Sequence, residues 1–187
     1  MKKYTARQLC VAALIAALYA GVTMAFGQMA FSPMFQVRPA EALTILPILF
    51  VEAIPGVVIG CMIANIVSVF GPADIIFGTL ITLVAAILTR LIKKPVLAAL
   101  PPVLLNAFLL PIIWWLAGGD SAYWLNMLST LLTQSLWIFG LGLPLHALMK
   151  KLKPKIYPEL MPPVSSGTSV VAAASDAGCK DDSESGQ

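Results

Sequence analysis

The sequence has few charged residues. Asp, Glu, Lys and Arg together make up 11% of its 187 residues, whereas 59% are hydrophobic, and the mean hydropathy is +0.88. About a quarter of the residues in an ordinary soluble domain are charged. This composition predicts an integral protein of the plasma membrane, surrounded by a lipid bilayer. The net charge of +3 does not indicate nucleic-acid binding, because the basic residues collect in a few short loops.

Motifs of catalysis and metal binding are absent as well. His146 is the single histidine, there is no HExxH or GxSxG motif, and the phosphate-binding GxxxxGK[ST] loop is missing. Cys10, Cys61 and Cys179 are isolated, without CxxC spacing, and the first two are expected to be packing residues. We therefore expect no enzyme activity, no cofactor and no metal, and the chain cannot drive transport with an ATPase of its own.

Long apolar runs are what the chain does have. Hydropathy predicts an all-α membrane protein of six helices, of which the second is short and the last is long: 6–26, 40–52, 54–70, 72–92, 95–117 and 121–149. They form one domain, residues 1–155. After residue 155 the composition shifts to Pro, Ser, Gly, Ala and Asp without an apolar period, which predicts a disordered cytoplasmic tail over residues 156–187.

Basic residues set the expected orientation, because short cytoplasmic loops are enriched in Lys and Arg. With the N-terminus inside, six crossings place on the cytoplasmic side Lys2, Lys3, Arg7, Arg90, Lys93, Lys94, Lys150, Lys151, Lys153 and Lys155. Only Arg38 is left outside. A second segment that failed to cross would turn two of these clusters outward, so both termini are predicted to be cytoplasmic.

The short second segment attracts attention because it begins with charges. Residues 35–47 read FQVRPAEALTILP and supply the first charged groups after Arg7, namely Arg38 and Glu41. As an α-helix, residues 39–52 would reach about 20 Å, less than the hydrocarbon core of about 30 Å. One end must therefore lie below the membrane surface, where ionisable groups are costly and suggest a binding site. A simple ion pair at the helix start would also explain the two charges.

Polar side chains in the later spans are further candidates for a ligand site. Asn65 lies in the third span, Asp74 in the FGPAD link either caps the next helix or faces the site, and Trp115 either anchors the membrane interface or contacts a ligand. In the last span one polar stripe shares a helix face, formed by Asn126, Thr130, Thr133 and Trp137, and Gln134 lies just beside it. Such a stripe faces the bundle interior, either to bind a ligand or to join helices.

Small residues recur every four positions on the first helix, at Ala12, Ala16 and Ala20. In lipid, small-xxx-small spacing lets another helix approach closely and pack by van der Waals contact. The neighbour is either a helix of the same bundle or a partner protein.

Two motifs, FQVRPAEALTILP and FGPADIIFGTL at residues 70–80, resemble the QueT family. Its members are substrate-binding S components of energy-coupling-factor transporters, assigned to queuosine precursors. The resemblance covers residues 5–152 and implies six helices, an external pocket and no catalysis by this chain. It also implies a transmembrane T component and a pair of cytoplasmic ATPases as partners, and the alanine stripe resembles a feature shared by S components.

Carried onto this sequence, the resemblance suggests a pocket of Arg38, Glu41, Asn65 and Asp74, with Asn126 and its stripe opposite. A 7-deazaguanine such as preQ0 or preQ1 presents adjacent N–H and NH2 donors, which match a carboxylate, and Glu41 is the first choice for it. A tryptophan, Trp115 or Trp137, could stack on the ring. Two alternatives stay open: an S component for another vitamin-like heterocycle, and a stand-alone secondary transporter.

Overall fold

The computed structural model describes residues 5–32, 35–68, 70–117 and 122–156. All regular structure in these ranges is helical, with no strand. The chain divides into two compact units, Met1–Lys153 and Pro154–Gln187. The predicted tail, from residue 157 onward, lies outside the described residues.

The first helix, α1, spans Ala6–Ala25 and begins with a capping box in which Thr5 and Gln8 bond each other's backbone N–H groups. A 3₁₀ turn, Gly27–Phe31, follows it. The next element is a 3₁₀ helix, Pro39–Ile48, which we call the short helix. Then comes α2, Ala53–Asn65.

The second half of the chain contains five α-helices and two π-helical segments. The π segment Asp74–Gly78 leads into α3, Thr79–Leu91. A single turn, α4 at Pro95–Ala98, precedes α5 at Leu100–Leu116. The last long helix consists of α6 at Tyr123–Ser135, the π segment Leu136–Gly142 and α7 at Leu143–Ile156.

The short helix is not the α-helix that its sequence predicts. Its backbone bonds span three residues, as from the Glu41 N–H to the Arg38 carbonyl (3.1 Å). Pro47 has no N–H to donate, and the Thr44 hydroxyl donates to the Glu41 carbonyl at 2.6 Å. A 3₁₀ helix rises about 2.0 Å per residue, so the ten residues still reach about 20 Å.

Among the residues that the structure describes, four helices are long and apolar enough to cross a membrane: Ala6–Ala25, Asp74–Leu91, Pro95–Leu116 and Tyr123–Ile156. Two of the predicted spans correspond to shorter apolar helices, Pro39–Ile48 and Ala53–Asn65. The chain is thus an all-helical membrane protein, whereas the six crossings and the cytoplasmic termini stay predictions.

Close helix contacts depend on glycine. A Cβ at Gly60 of α2 would lie 2.7 Å from the Cβ of Tyr19 and 2.8 Å from the Ala16 carbonyl oxygen on α1. Similarly, a Cβ at Gly142 would lie 3.2 Å from the Ala42 carbonyl oxygen of the short helix. These contacts pack α2 against α1 and the short helix against the last long helix.

Basic side chains surround the C-terminal end of the short helix. Arg90 Nη1 donates to the carbonyls of Pro47 (3.3 Å) and Ile48 (3.0 Å). The Lys153 ammonium lies 5.8 Å from the centre of the Phe50 ring. Two of the basic clusters therefore lie at the same end of the bundle, as the predicted orientation requires.

Candidate functional site

The site begins with a buried ion pair at the start of the short helix. Arg38 and Glu41 are 4% and 2% exposed, and Arg38 Nε lies 3.4 Å from Glu41 Oε1. Arg38 is the residue just before the short helix and Glu41 lies in its first turn, so the two side chains meet where the helix begins. The guanidinium carbon also lies over the rings of Phe31 (5.3 Å) and Tyr19 (5.7 Å).

Asn65, at the C-terminal end of α2, joins the pair to the next segment. Its Oδ1 accepts a hydrogen bond from Arg38 Nη2 at 2.9 Å, and its Nδ2 donates to the Asp74 carbonyl at 2.8 Å. Gly78 makes room for this amide, because a Cβ there would lie 3.0 Å from Asn65 Nδ2. The amide therefore fixes the guanidinium relative to the π segment.

Asp74 is 4% exposed and makes no capping hydrogen bond. Its Oδ1 accepts from Trp114 Nε1 at 2.9 Å, and its Oδ2 accepts from the Ser68 hydroxyl. The Trp114 ring stacks on Phe70, with ring centres 5.3 Å apart and planes 14° apart. Both carboxylate oxygens thus have a donor, which offsets much of the cost of burying the charge.

A small cavity of about 10 Å³ lies at the centre of these side chains. It is lined by Arg38, Glu41, Cys61, Asn65, Asp74, Gly78, Thr82, Asn106, Leu110 and Trp114. This volume is near the minimum for one water molecule. Ligand pockets are typically about 300–1,000 Å³, so the side chains fill the site in this structure.

Four of the residues proposed from sequence therefore meet at one cavity, namely Arg38, Glu41, Asn65 and Asp74. Trp115 lies elsewhere and is 57% exposed. Adjacent helix positions are about 100° apart, so only one of the two tryptophans can face inward, and that residue is Trp114.

The polar stripe of the last long helix is buried but does not line this cavity. Asn126, Thr130 and Gln134 are at most 3% exposed, and Trp137 is half-buried. Trp137 Nε1 donates to the Gln36 carbonyl at 3.4 Å, which joins the stripe to the segment just before Arg38.

Several buried oxygen atoms near these elements have no hydrogen-bond partner in the protein. They are Glu41 Oε2, Gln36 Oε1, Thr130 Oγ1 and Gln134 Oε1. Nearly all buried polar atoms in proteins are hydrogen-bonded. The carboxylate and amide oxygens of Glu41, Gln36 and Gln134 only accept hydrogen bonds, whereas the Thr130 hydroxyl can donate or accept. A ligand or water that donates would therefore satisfy the first three.

Sequence reasoning did not single out Tyr19, Trp114 or Thr82, and it took Cys61 for a packing residue. The Cys61 sulfur lies 3.6 Å from Arg38 Nη2 and 3.3 Å from Thr82 Oγ1, inside the polar cluster. One signal for Tyr19 was available, since it is the only aromatic residue in an otherwise alanine-rich run of the first helix.

Small residues of α1 fall into two groups. Ala16 and Ala20 are 7% exposed, with Ala16 against Gly60, whereas Ala13 and Ala17 are exposed and Ala12 is half-buried. The exposed edge borders an apolar groove of about 580 Å³ between α1 and α2, lined by Gln8, Leu9, Ala12, Ala13, Ala16, Ala17, Pro55, Ile59 and Ile63.

The sequence model of one protein family, the QueT transporters, matches residues 9–151. This range contains the whole site and all the helices except the ends of α1 and α7. The chain belongs to the QueT transporter family. No curated protein and no solved structure matches it.

Membership confirms the resemblance drawn from FQVRPAEALTILP and FGPADIIFGTL. These two QueT motifs supply Arg38, Glu41 and Asp74, three of the charged or polar residues at the cavity. The chain is therefore a membrane transport protein, and these motifs carry three charged residues that are at most 4% exposed.

Proposed function

We propose that this chain is the substrate-binding S component of an energy-coupling-factor importer in the plasma membrane, and that it binds a queuosine precursor. The observation that carries the proposal is the unpartnered Glu41 Oε2 beside Arg38, in a cluster 2–4% exposed. A 7-deazaguanine offers adjacent N–H and NH2 donors, and a buried carboxylate oxygen is a strong acceptor for them. Gln36, Thr130 and Gln134 supply further free acceptors.

Charge balance favours one kind of precursor. The ten residues at the cavity include one guanidinium and two carboxylates, so one negative charge is left over when both carboxylates are ionised. An unbalanced buried charge costs several kcal/mol. A ligand with a protonated aminomethyl group, as in preQ1, removes that cost, whereas the neutral nitrile of preQ0 does not.

Binding requires the site to open, because the present cavity of about 10 Å³ cannot hold a bicyclic ring. In the proposed cycle the heterocycle enters from outside, separates the short helix from the α6 stripe, and is enclosed between Glu41 and residues such as Gln134. In this proposal the ring stacks on Trp137, which donates a hydrogen bond to the Gln36 carbonyl.

Energy must come from partners, because the sequence contains no phosphate-binding loop. The T component and the ATPase pair supply it in this proposal. The groove along Ala12, Ala13, Ala16 and Ala17 is the surface proposed for the T component, since small side chains permit close approach of a second helix.

A thermal-shift panel on the purified protein tests the substrate. At a hundred times its dissociation constant, a ligand adds about 2.7 kcal/mol to the free energy of unfolding. We expect preQ1 to raise the melting temperature most, preQ0 less, and riboflavin, biotin and thiamine not at all.

Glu41→Gln is the matched variant for this panel. It places a donor against the ligand's donors and should weaken preQ1 binding about a hundredfold. Glu52→Gln, the same change at a buried carboxylate beyond the other end of the short helix, should leave the affinity unchanged. If riboflavin, biotin or thiamine stabilised the protein and neither deazapurine did, the assignment to queuosine precursors would be overturned.

A further inference from the structure

The two carboxylate oxygens of Glu41 have different surroundings. Oε1 accepts a hydrogen bond from the Tyr19 hydroxyl at 2.8 Å and lies 3.4 Å from Arg38 Nε, close enough for an ion pair but without hydrogen-bond geometry. Oε2 has no hydrogen-bond partner among the residues that the structure describes. Both Tyr19 and Glu41 are almost fully buried, at 0% and 2% exposure. One oxygen is thus occupied and the other is left available.

An arginine next to a carboxylate usually forms a bidentate (two-pronged) salt bridge, in which two N–H groups donate to the two carboxylate oxygens. Arg38 does not do so here, although Glu41 is only three residues away. Its Nη2 is bonded instead to Asn65 Oδ1 at 2.9 Å, and its guanidinium rests against two aromatic rings. A two-pronged pair would consume Oε2, the atom that a ligand needs.

The Tyr19 side chain is enclosed by the bundle. It is 0% exposed, and the close approach of α1 and α2 leaves no space at Gly60, where a Cβ would lie 2.7 Å from the Tyr19 Cβ. The hydroxyl therefore reaches Glu41 from a buried position against α2.

We propose that Tyr19 is a positioning residue for substrate binding: its hydroxyl holds Glu41 Oε1 and thereby keeps Oε2 free of Arg38 and available to the ligand. This role rests on the proposed function of Glu41 as the acceptor for the donor edge of a heterocycle. Through Tyr19, α1 would contribute to ligand binding although none of its residues lines the cavity.

The test is Tyr19→Phe, which removes one oxygen and keeps the ring. Without the hydroxyl, Arg38 can bond both oxygens of Glu41, so the affinity for preQ1 should fall about tenfold. A ligand that lacks the 2-amino donor, 7-deazahypoxanthine, gains less from a free Oε2 and should lose little. The ratio of the two affinities, measured by calorimetry, therefore shrinks in the variant.

Thr23→Val is the matched control, because Thr23 is also a buried hydroxyl of α1 and bonds only to the backbone of Tyr19. It should leave the ratio unchanged. Equal weakening of both ligands in Tyr19→Phe, or no weakening of either, would overturn the positioning role.

A double-mutant cycle tests whether Arg38 competes with the ligand for Glu41 Oε2. Lysine is a point charge and cannot form the two-pronged pair. In an Arg38→Lys background the Tyr19→Phe change should therefore cost less than twofold in preQ1 affinity. A full tenfold loss there would contradict competition by Arg38. If the unaltered protein binds neither ligand, the proposed function itself is overturned, and the role of Tyr19 with it.

Discussion

At the scale of single residues, chemically identical side chains differ in burial and in hydrogen bonding. Trp114 and Trp115 are adjacent in sequence, yet Trp114 is 1% exposed and donates to Asp74, whereas Trp115 is 57% exposed. Asp74 depends on that donor, because a buried carboxylate oxygen without a partner is costly. The indole N–H of Trp114 is therefore part of what permits a charge to lie inside the bundle.

Phenylalanine substitutions at these two positions measure this difference. Trp114→Phe leaves Asp74 Oδ1 without its donor and should lower the free energy of unfolding by about 1–3 kcal/mol. Trp115→Phe changes an exposed ring and should stay within about 0.5 kcal/mol. Melting temperatures in the same detergent give the comparison. Equal losses in both variants would show that the Trp114–Asp74 bond adds nothing to stability.

At the scale of helices, α1 has two sides with different neighbours. Its Ala16 side packs on Gly60 of α2, where a Cβ would lie 2.8 Å from the Ala16 carbonyl oxygen. Its Ala13 and Ala17 side faces the apolar groove of about 580 Å³. Both explanations of the alanine stripe thus have a place in the structure, because Ala16 and Ala20 pack inside the bundle while the neighbouring alanines border the groove.

Leucine substitutions distinguish the side of α1 that packs on α2 from the side that borders the groove. Ala17→Leu extends into the groove, so the variant should fold and bind its heterocycle normally but fail to co-purify with the T component. Ala16→Leu forces three heavy atoms against α2 and should lower the free energy of unfolding by about 1–3 kcal/mol. Normal assembly of the Ala17→Leu variant would place the partner surface elsewhere on the protein.

Much of the site could be predicted from sequence for a simple reason. Arg38, Glu41, Asn65 and Asp74 lie near the ends of apolar segments, and the predicted alternation of crossings puts those ends at the same level. It was harder to predict which face of α5 points into the bundle. Sequence alone does not distinguish Trp114 from Trp115, because both are tryptophans in the same apolar run. The 3₁₀ form of Pro39–Ile48 was also not predicted, because it depends on contacts such as Ala42 with Gly142.

At the scale of the whole molecule, the ends of the bundle differ in charge. Arg90 and Lys153 lie at the C-terminal end of the short helix, whereas Arg38 lies at its beginning. An excess of basic residues marks the cytoplasmic side. The short helix should therefore run from the outer half of the membrane toward the cytoplasm, with the candidate site in the outer half.

Cysteine labelling in intact cells checks this orientation. With Cys10 and Cys179 replaced by serine, a cysteine at the exposed position Gln28 should react with a membrane-impermeant maleimide. Cysteines at the exposed positions Val51 and Lys94 should react only after the cells are opened. Cys61 can stay in place, because it is 2% exposed. Labelling of Gln28 and Val51 from the same face would exclude the crossing of the short helix.

The 3₁₀ geometry of the short helix limits which insertions and deletions its sequence can tolerate. With three residues per turn, Glu41 and Thr44 lie in a single row, and each residue added or removed near the start of the helix rotates the following part by about 120°. An exchange of one side chain alters one contact, whereas a one-residue insertion between Arg38 and Glu41 turns the carboxylate away from Tyr19, from Arg38 and from the cavity together. Among related transporters the spacing of this arginine and glutamate should therefore be fixed even where the apolar residues around them differ.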